Sequence, residues 1–332
     1  MTSALQLEFL DLRHFSAQHL RPLLDEESAL WSRHLHWDYR NSAGLVLQYI
    51  DSHLLTGYVA VDQGRVCGYI FCVYEGSKAV IGDVFVSRQR VEEQEAISIE
   101  TRLVERLLET LQSTPGLARI EAQLLLHPHR ALSEPFEKAG FRLFSRLFME
   151  STLDRRTEGD TPSLPGPFEA SMGTHYRRWM MSDCDLAPQC ITASYAGHID
   201  SEINDQYLSV NGAQRFLHNI VRFPGCGIFE DQSSWVLASA DGQKLFGLLL
   251  CSRVGEKVGH VTQVCVIPGF QNRGVGKKLL QLCSGSLAAR EFEGITLTVT
   301  ERNTAAVNLY QRLGYRVRHR FDAMLWERKN SE

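Results

Sequence analysis

The sequence repeats one order of elements, about 175–180 residues apart, and this repetition limits the possible folds more than any other feature. In residues 58–87 and again in 235–268, three β-rich runs are joined by short turns. A helical pattern, a strand, a short helix, a glycine and a final strand then follow in both halves. The shared order favours duplication of a whole domain, and two unrelated α/β domains are the alternative.

Turn residues and apolar spacing support this pattern in each half. The turns "DQGR" and "EGSK" of the first half correspond to "ADGQ" and "VGEK" in the second, and Asp-Gly is a strong hairpin signal. The runs "EAISIETRLVERLLETLQS" and "GKKLLQLCSGSLAAREF" have the apolar spacing of helices. Gly140 and Gly314 hold the same helix-ending position, where glycine readily adopts a left-handed cap.

These patterns predict the α/β (α+β) class, with two tandem folds that each have a mixed central β-sheet flanked by helices. The length of 332 residues agrees with two domains at about 150 residues each. We expect a first domain over 1–153 and a second over 172–332. Residues 154–171, "DRRTEGDTPSLPGPFEAS", are rich in Pro, Gly, Thr and charge, which is typical of a linker.

Composition narrows the classes of function. The formal net charge of -4 disfavours a nucleic-acid binder, and the absence of any apolar run near 18 residues disfavours a membrane protein. The eight cysteines lie mostly in apolar contexts without a C-x-x-C pair, so neither a metal site nor a disulfide scaffold is expected. The N-terminus is a poor signal peptide. We therefore expect a cytoplasmic protein in a reducing compartment.

The stretch "QNRGVGKKLL" lies between a predicted strand and a predicted helix. A helix N-terminus presents unpaired N–H groups and partial positive charge, and glycines let an anion approach the backbone closely. The pattern Gln271-x-x-Gly274-x-Gly276 is neither a P-loop nor a dinucleotide fingerprint. It indicates a phosphate site, with an ordinary glycine-containing turn as the alternative.

Two blocks of the second half resemble the GNAT superfamily of acyl-CoA-dependent N-acyltransferases. "VCVIPGFQNRGVGKKLL" matches the family's Gln/Arg-x-x-Gly-x-Gly/Ala loop after its fourth strand. "VTERNTAAVNLYQRLGY" matches the Asn, Leu-Tyr and Gly-Tyr positions that follow its fifth strand. The resemblance spans about residues 235–327, and the preceding helices at about 174–222 fit the family's first part.

The resemblance implies acetyl-CoA as acyl donor, bound through its pyrophosphate at the glycine loop and through its pantetheine arm along the fourth strand. It thereby implies a set of cofactor-binding residues: Val264, Cys265, Val266, Gln271, Asn272, Arg273, Gly274, Val275, Gly276, Lys277 and Asn303. The strand residues can instead be plain core, Lys277 an ordinary solvated helix charge, and Asn303 a helix N-cap.

Tyr310 corresponds to the family's general acid, which gives a proton to the departing thiolate. The alternative is a tyrosine that packs under its helix. A base is needed to keep the attacking amine neutral, and His260 lies near where some relatives place a glutamate base. A surface histidine at a strand start is the alternative there, and Glu301 is another candidate base.

The stretch "SYAGHIDSEINDQY" brings Asp200, Glu202 and Asp205 close together in the sequence. In the family the early helices and their loop wall the acceptor site, so these residues are candidates to bind a cationic amine. A solvated helix face is the alternative.

The first half lacks the corresponding residues. "VEEQEA" stands where the second half has "QNRGVG", so both glycines are replaced and three glutamates would repel a pyrophosphate. Phe136 falls over Tyr310, and His129 falls over Asn303. We therefore expect the first domain to be a degenerate, non-catalytic companion.

The leading hypothesis is an acetyl-CoA-dependent N-acetyltransferase that acts on a primary amine of a small molecule or peptide through a ternary complex. Transfer of another acyl group, or to the amine of a thiol precursor as in the tandem GNAT protein mycothiol synthase, is a second enzymatic interpretation. A non-enzymatic acyl-CoA-binding sensor is a third. Neither a nucleic acid nor a membrane is expected as a partner, and the chain is expected to be a monomer or homodimer.

Overall fold

The computed structural model describes residues 7–153, 171–222 and 226–329. By their internal contacts they form two compact units. The first unit comprises Met1–Leu35, Tyr39–Arg146 and Arg320–Glu332, and the second comprises His36–Asp38 and Leu147–His319. The predicted linker at 154–171 lies outside the described residues except for Ser171, and the predicted domain limits stay predictions.

In the first half of the chain, two helices precede a three-stranded meander, and a helix, a strand, a short helix and a final strand follow it. In chain order its elements are β1 (Leu7–Asp11), α1 (Ala17–Leu35), α2 (Arg40–Asp51), β2 (Thr56–Asp62), β3 (Arg65–Glu75), β4 (Lys78–Val86), α3 (Glu93–Ser113), β5 (Arg119–Gln123), α4 (Ser133–Lys138) and β6 (Arg142–Thr152).

The second half repeats that order with an additional short helix and an additional short strand. Its elements are β7 (Thr174–Arg178), α5 (Ala187–Tyr195), α6 (Ile199–Ile203), α7 (Val210–Arg222), β8 (Ile228–Phe229), β9 (Trp235–Ser239), β10 (Leu245–Gly255), β11 (Val258–Val266), α8 (Val275–Ala289), β12 (Gly294–Thr300), α9 (Thr304–Arg312) and β13 (Arg316–Glu327).

Each unit contains a mixed sheet. In the first unit the strand order is β1-β2-β3-β4-β5-β13, with β4 and β5 parallel. In the second unit it is β6-β12-β11-β10-β9-β7, with β8 beside β10, and β11 and β12 are parallel. These sheets and their flanking helices confirm the predicted α/β class.

Apolar spacing explains how the helices pack on these sheets. In α3 the residues Ile99, Leu103, Leu107 and Leu111 recur at helical spacing, and all four are buried in the core of the first unit. In the second unit α8 packs on one face of the sheet, whereas α5 and α7 pack on the other. The strand that the sequence predicts after the second helical pattern is β12.

Among the described residues, no helix has the length and apolar character of a membrane span.

The closing strand of each half contributes to the core of the other half's unit. Leu147 and Met149 of β6 lie in the core of the second unit. Met324 and Trp326 of β13 lie in or against the core of the first.

Gly140 and Gly314, which end the preceding helices, have φ of 80° and 88°, so the predicted left-handed caps are confirmed.

Candidate active site

Strands β11 and β12 run side by side over only part of their length. Their parallel ladder ends at the pair Val261↔Leu297, although β11 continues to Val266 and β12 to Thr300. On its other edge β11 stays paired with β10 as far as Val266. The two parallel strands therefore diverge, and the predicted cofactor-binding strand residues 264–266 line the resulting gap.

A β-bulge at Thr262 determines which side chains of β11 face α8 and which face α5 along this gap. The register with β10 shifts between Leu250 and Cys251, and the Thr262 hydroxyl donates to the Leu250 carbonyl at 3.2 Å. The extra residue turns Val264 and Val266 toward α8. It turns the next polar side chain, that of Gln263, toward α5 on the opposite face.

The glycine loop bends through left-handed backbone before α8 begins. Asn272 has φ 59° and Gly274, the N-cap of α8, has φ 83°. The first helical bond is donated by the Lys278 N–H to the Gly274 carbonyl at 2.9 Å. The N–H groups of the preceding turn have no acceptor within the helix, so they are available to an anion.

Gly276 is a glycine for which the fold has no packing requirement. A Cβ there would meet Leu309 at 3.7 Å and Val266 at 4.0 Å, which are ordinary contacts. Val266 lies at the end of β11, so a side chain at position 276 would lie beside the gap between β11 and β12. Gly274 needs its left-handed φ, whereas Gly276 leaves the backbone of the first turn uncovered.

The remaining residues of the glycine loop, 271–276, attach it to the sheet and add positive charge. We call this loop and the first turn of α8 the cradle. The Gln271 side-chain amide donates to the Val266 carbonyl at 2.9 Å, which ties the loop to the end of β11. Val275 is buried and anchors the first turn of α8 in the core. Arg273 and Lys277 are exposed around the N-terminus of this helix. A positive rim around unpaired N–H groups is the arrangement that binds phosphates.

Tyr310 lies on α9, beyond the end of the parallel ladder. It is 6% exposed, and its ring centroid is 5.8 Å from that of Tyr315. Burial, and then the negative charge of Asp200, raise the pKa of Tyr310. Because its pKa is raised, Tyr310 is a neutral phenol at pH 7. Its hydroxyl makes no hydrogen bond to any described residue, so its proton can be donated without loss of a hydrogen bond within the protein.

Asp200 attaches the loop around α6 to the end of β12. Its carboxylate accepts a hydrogen bond from the Thr300 hydroxyl, and its backbone N–H donates to His198 Nδ1 at 3.1 Å. Of the other two predicted wall residues, Glu202 is exposed and Asp205 is half-buried. The structure therefore brings Asp200 to the same strand end that precedes α9.

Asn303 connects this wall to α9. Its side-chain oxygen accepts from the Ala306 N–H at 3.2 Å, which is the predicted N-cap, and its amide nitrogen lies 3.1 Å from His198 Nε2. Asn303 thus holds the start of the helix that carries Tyr310.

His260 lies within the paired part of β11, before the gap opens. It is buried, and its Nδ1 lies 2.8 Å from the Thr296 hydroxyl of β12. Its ring contacts those of Trp37 and Phe148, with centroid distances of 4.9 and 5.8 Å. The alternative of a surface histidine at a strand start is wrong, because these two aromatic rings cover His260, and its role as a base stays a prediction.

The geometry adds residues that sequence reasoning missed. Tyr195, at the end of α5, donates its hydroxyl to Gln263 Oε1 at 3.1 Å. Its ring lies 5.2 Å from that of His198, centroid to centroid. Thr300 binds Asp200. Alternation along β12 was the available signal for Thr300, because the apolar residues of this strand face α8 and its threonines face away.

The first unit has the same strand divergence, but it contains charged side chains there. The β4–β5 ladder ends at Ile81↔Ala122, and β4 continues to Val86. The Arg88 guanidinium donates to the Val86 carbonyl at 2.7 Å and forms an ion pair with buried Glu100.

His127, which follows β5, lies 3.4 Å from the same Glu100 carboxylate. The N-cap of α3 is Glu92, and Glu93 and Glu95 lie in its first turn. An anion would therefore meet carboxylates in the first unit where it would meet bare N–H groups in the second.

Two diverging parallel strands, a glycine loop at a helix N-terminus and a buried phenol are the features expected of an acyltransferase. Residues 202–315 match the model of the Acetyltransferase (GNAT) family. The chain therefore contains a GNAT domain, and the predicted resemblance is confirmed. The matched stretch includes the glycine loop, Asn303 and Tyr310.

One curated relative agrees with the family match. The mycothiol acetyltransferase of Streptomyces griseus is 34% identical over 94 residues, which is 28% of this chain and 30% of that protein. The chain thus matches less than a third of that relative's length.

Two solved structures share the fold over nearly the whole chain. A GCN5-related N-acetyltransferase from Sphaerobacter thermophilus has a TM-score of 0.63 at 16% identity and covers 97% of this chain and 95% of its own. A tandem GNAT protein from the clavulanic acid biosynthesis pathway has a TM-score of 0.54 at 12% identity and covers 98% and 100%. These two neighbours bear out the tandem fold.

Proposed function

We propose that this protein is an acetyl-CoA-dependent N-acetyltransferase whose second unit transfers the acetyl group directly to a primary amine of a small molecule or peptide. The observation that carries the proposal is the divergence of β11 from β12 between the glycine cradle and the buried phenol of Tyr310. In that space an acyl thioester would have its phosphates at the N-terminus of α8 and its sulfur near α9.

The residues around the gap divide the chemistry among them. The first-turn N–H groups of α8, with Arg273 and Lys277, hold the pyrophosphate, while the open edge of β11 at 264–266 accepts the pantetheine arm as an added strand would. Tyr310 donates its proton to the thiolate that leaves when the tetrahedral intermediate collapses. The N–C bond forms and the C–S bond breaks, and the free thiol departs with that proton. The proton that the new amide nitrogen loses returns to the phenolate and restores Tyr310.

The amine must reach the thioester as a neutral nucleophile, and two groups on the same face of the sheet support this. Asp200 attracts the protonated amine to the gap by its charge. His260 is the proposed base that removes the proton, and its bond to Thr296 holds the ring in one orientation.

A mycothiol-type acceptor is a second candidate, because the matched curated relative is a mycothiol acetyltransferase. Binding of acyl-CoA without transfer, as in a sensor, is the non-enzymatic alternative.

The test is release of free thiol from acetyl-CoA in the presence of a panel of primary amines, followed with a thiol-reactive chromophore. The proposal expects release that depends on the amine and an acetylated amine as product. Saturable binding of acetyl-CoA without amine-dependent release on any member of the panel would contradict it and support the sensor.

A further inference from the structure

Gln263 carries a buried amide nitrogen that the fold does not use. The side chain is 4% exposed, and its Nε2 has no hydrogen-bond partner anywhere in the described part of the chain. A buried N–H group without a partner is costly, and folded proteins rarely keep one. A bound molecule that supplies an acceptor would remove that cost.

The position of Gln263 puts this donor at the acceptor side of the proposed site. It follows the bulge at Thr262 and lies on β11 beyond the last pair with β12. The Tyr195 hydroxyl donates to its Oε1 at 3.1 Å. This bond uses the amide oxygen and leaves the buried amide nitrogen as the group without a partner.

A continuous set of contacts joins this amide to the carboxylate of the wall. Tyr195 stands edge-on to His198, His198 accepts from the Asp200 N–H, and Asp200 binds Thr300 at the end of β12. Burial raises the pKa of both Tyr195 and Tyr310, and the negative charge of Asp200 adds to both shifts, in agreement with these contacts. An N–H donor and a carboxylate therefore lie on one face, around Tyr195.

This pair of groups defines the chemistry of a substrate. Asp200 favours a cationic amine. The free N–H of Gln263 requires an oxygen acceptor, and the nearby carboxylate disfavours a second anion. A neutral oxygen close to the amine, either an amide carbonyl or a hydroxyl, satisfies both conditions.

We propose that Gln263 recognises the acceptor substrate by donating its side-chain N–H to a neutral oxygen next to the reacting amine. The substrates are amines with an adjacent amide carbonyl or hydroxyl, rather than simple alkylamines or amino acids. This inference rests on the proposed transferase function of the same site.

Three amines on one carbon skeleton test it: L-alaninamide with a neutral carbonyl, L-alanine with a carboxylate, and isopropylamine with no oxygen. For each, kcat/KM is measured in wild type, Gln263→Met and the control Gln243→Met, which makes the same change in the exposed turn between β9 and β10. Comparing ratios between proteins cancels the different basicities of the amines.

In wild type and in Gln243→Met, alaninamide is expected to be the best of the three substrates. In Gln263→Met the ratio of alaninamide to isopropylamine is expected to fall by about tenfold, while KM for acetyl-CoA stays the same. Because Gln263→Met leaves the Tyr195 hydroxyl without its partner, the double variant Tyr195→Phe/Gln263→Met is a second, fully apolar version that should show the same fall.

A ratio that is equal in wild type and in both Gln263 variants overturns the inference and leaves the transferase function standing. Failure of every amine in the earlier panel overturns the transferase function itself, and this inference with it.

Discussion

Replacement of Tyr310 by phenylalanine separates catalysis from folding unusually well in this protein. The substitution removes only the hydroxyl, and that hydroxyl forms no hydrogen bond with any residue that the structure describes. The ring, 6% exposed and packed near Tyr315, remains. The free energy of unfolding should therefore change by no more than about 0.5 kcal/mol.

The catalytic effect should be much larger. A positioned general acid contributes about 10²-fold to 10⁴-fold to a rate, so kcat is expected to fall by at least about 10²-fold, or about 2.7 kcal/mol in the activation free energy. KM for acetyl-CoA should change little, because the proposed phosphate site is at the N-terminus of α8 and not at Tyr310. Burial raises the pKa of Tyr310, so the phenol stays protonated at neutral pH and no alkaline decline from this group is expected there.

Steady-state kinetics by thiol release and thermal unfolding of the same preparations provide the assay. Tyr315→Phe is the matched control, because it makes the same change in a buried neighbour of Tyr310 and should leave kcat near wild type. Equal kcat in wild type and Tyr310→Phe, with the fold intact, would refute the assignment of Tyr310 as the acid.

Three further predictions concern the cradle, the base and the first unit. Gly276→Glu should weaken acetyl-CoA binding by at least about tenfold in calorimetry, because it brings a carboxylate to the phosphates, whereas Gly276→Ala should bind like wild type; equal binding by both variants would argue against the cradle. His260→Gln should lower kcat/KM for the amine about 10²-fold at neutral pH while KM for acetyl-CoA stays the same, and an unchanged kcat/KM would exclude His260 as the base. Burial, and then the neighbouring Glu27, raise the pKa of Asp83, so the folded protein keeps a proton that the unfolded chain loses, and stability should fall as the pH rises above about 4. Asp83→Asn should remove that loss, by up to about 1.4 kcal/mol per pH unit, in urea unfolding at pH 5 and 8; the same difference from wild type at both pH values would contradict this.

The sequence predicted those parts of the molecule that depend on local patterns. The apolar spacing predicts α3, the order of elements predicts a strand where β12 lies, and the glycine loop lies between a strand and a helix as predicted. The alignment of "VEEQEA" with "QNRGVG" also sets Val86 over Val266. The structure agrees with it, because the parallel ladders of β4 and β11 both end five residues before those valines.

What the sequence could not reveal depends on contacts between distant residues. The closing segments "RLFSRLFMEST" and "RVRHRFDAMLWE" both have a strand pattern, and nothing in either specifies which core it joins. Gln263 and Tyr195 are 68 positions apart, so their bond and the free N–H that it leaves are visible only in the folded chain. The same holds for His260, whose cover comes from Trp37 and Phe148.

The central claim is that only the second of the two units binds the acyl donor and catalyses the transfer. Calorimetric titration with acetyl-CoA tests it most directly, in wild type and in Gly276→Glu. We expect one site per chain in wild type and its loss in the variant, because the first unit has Arg88, Glu100 and three glutamates where the second has its cradle. Two equal sites in wild type, or a single site of unchanged affinity in Gly276→Glu, would contradict the account.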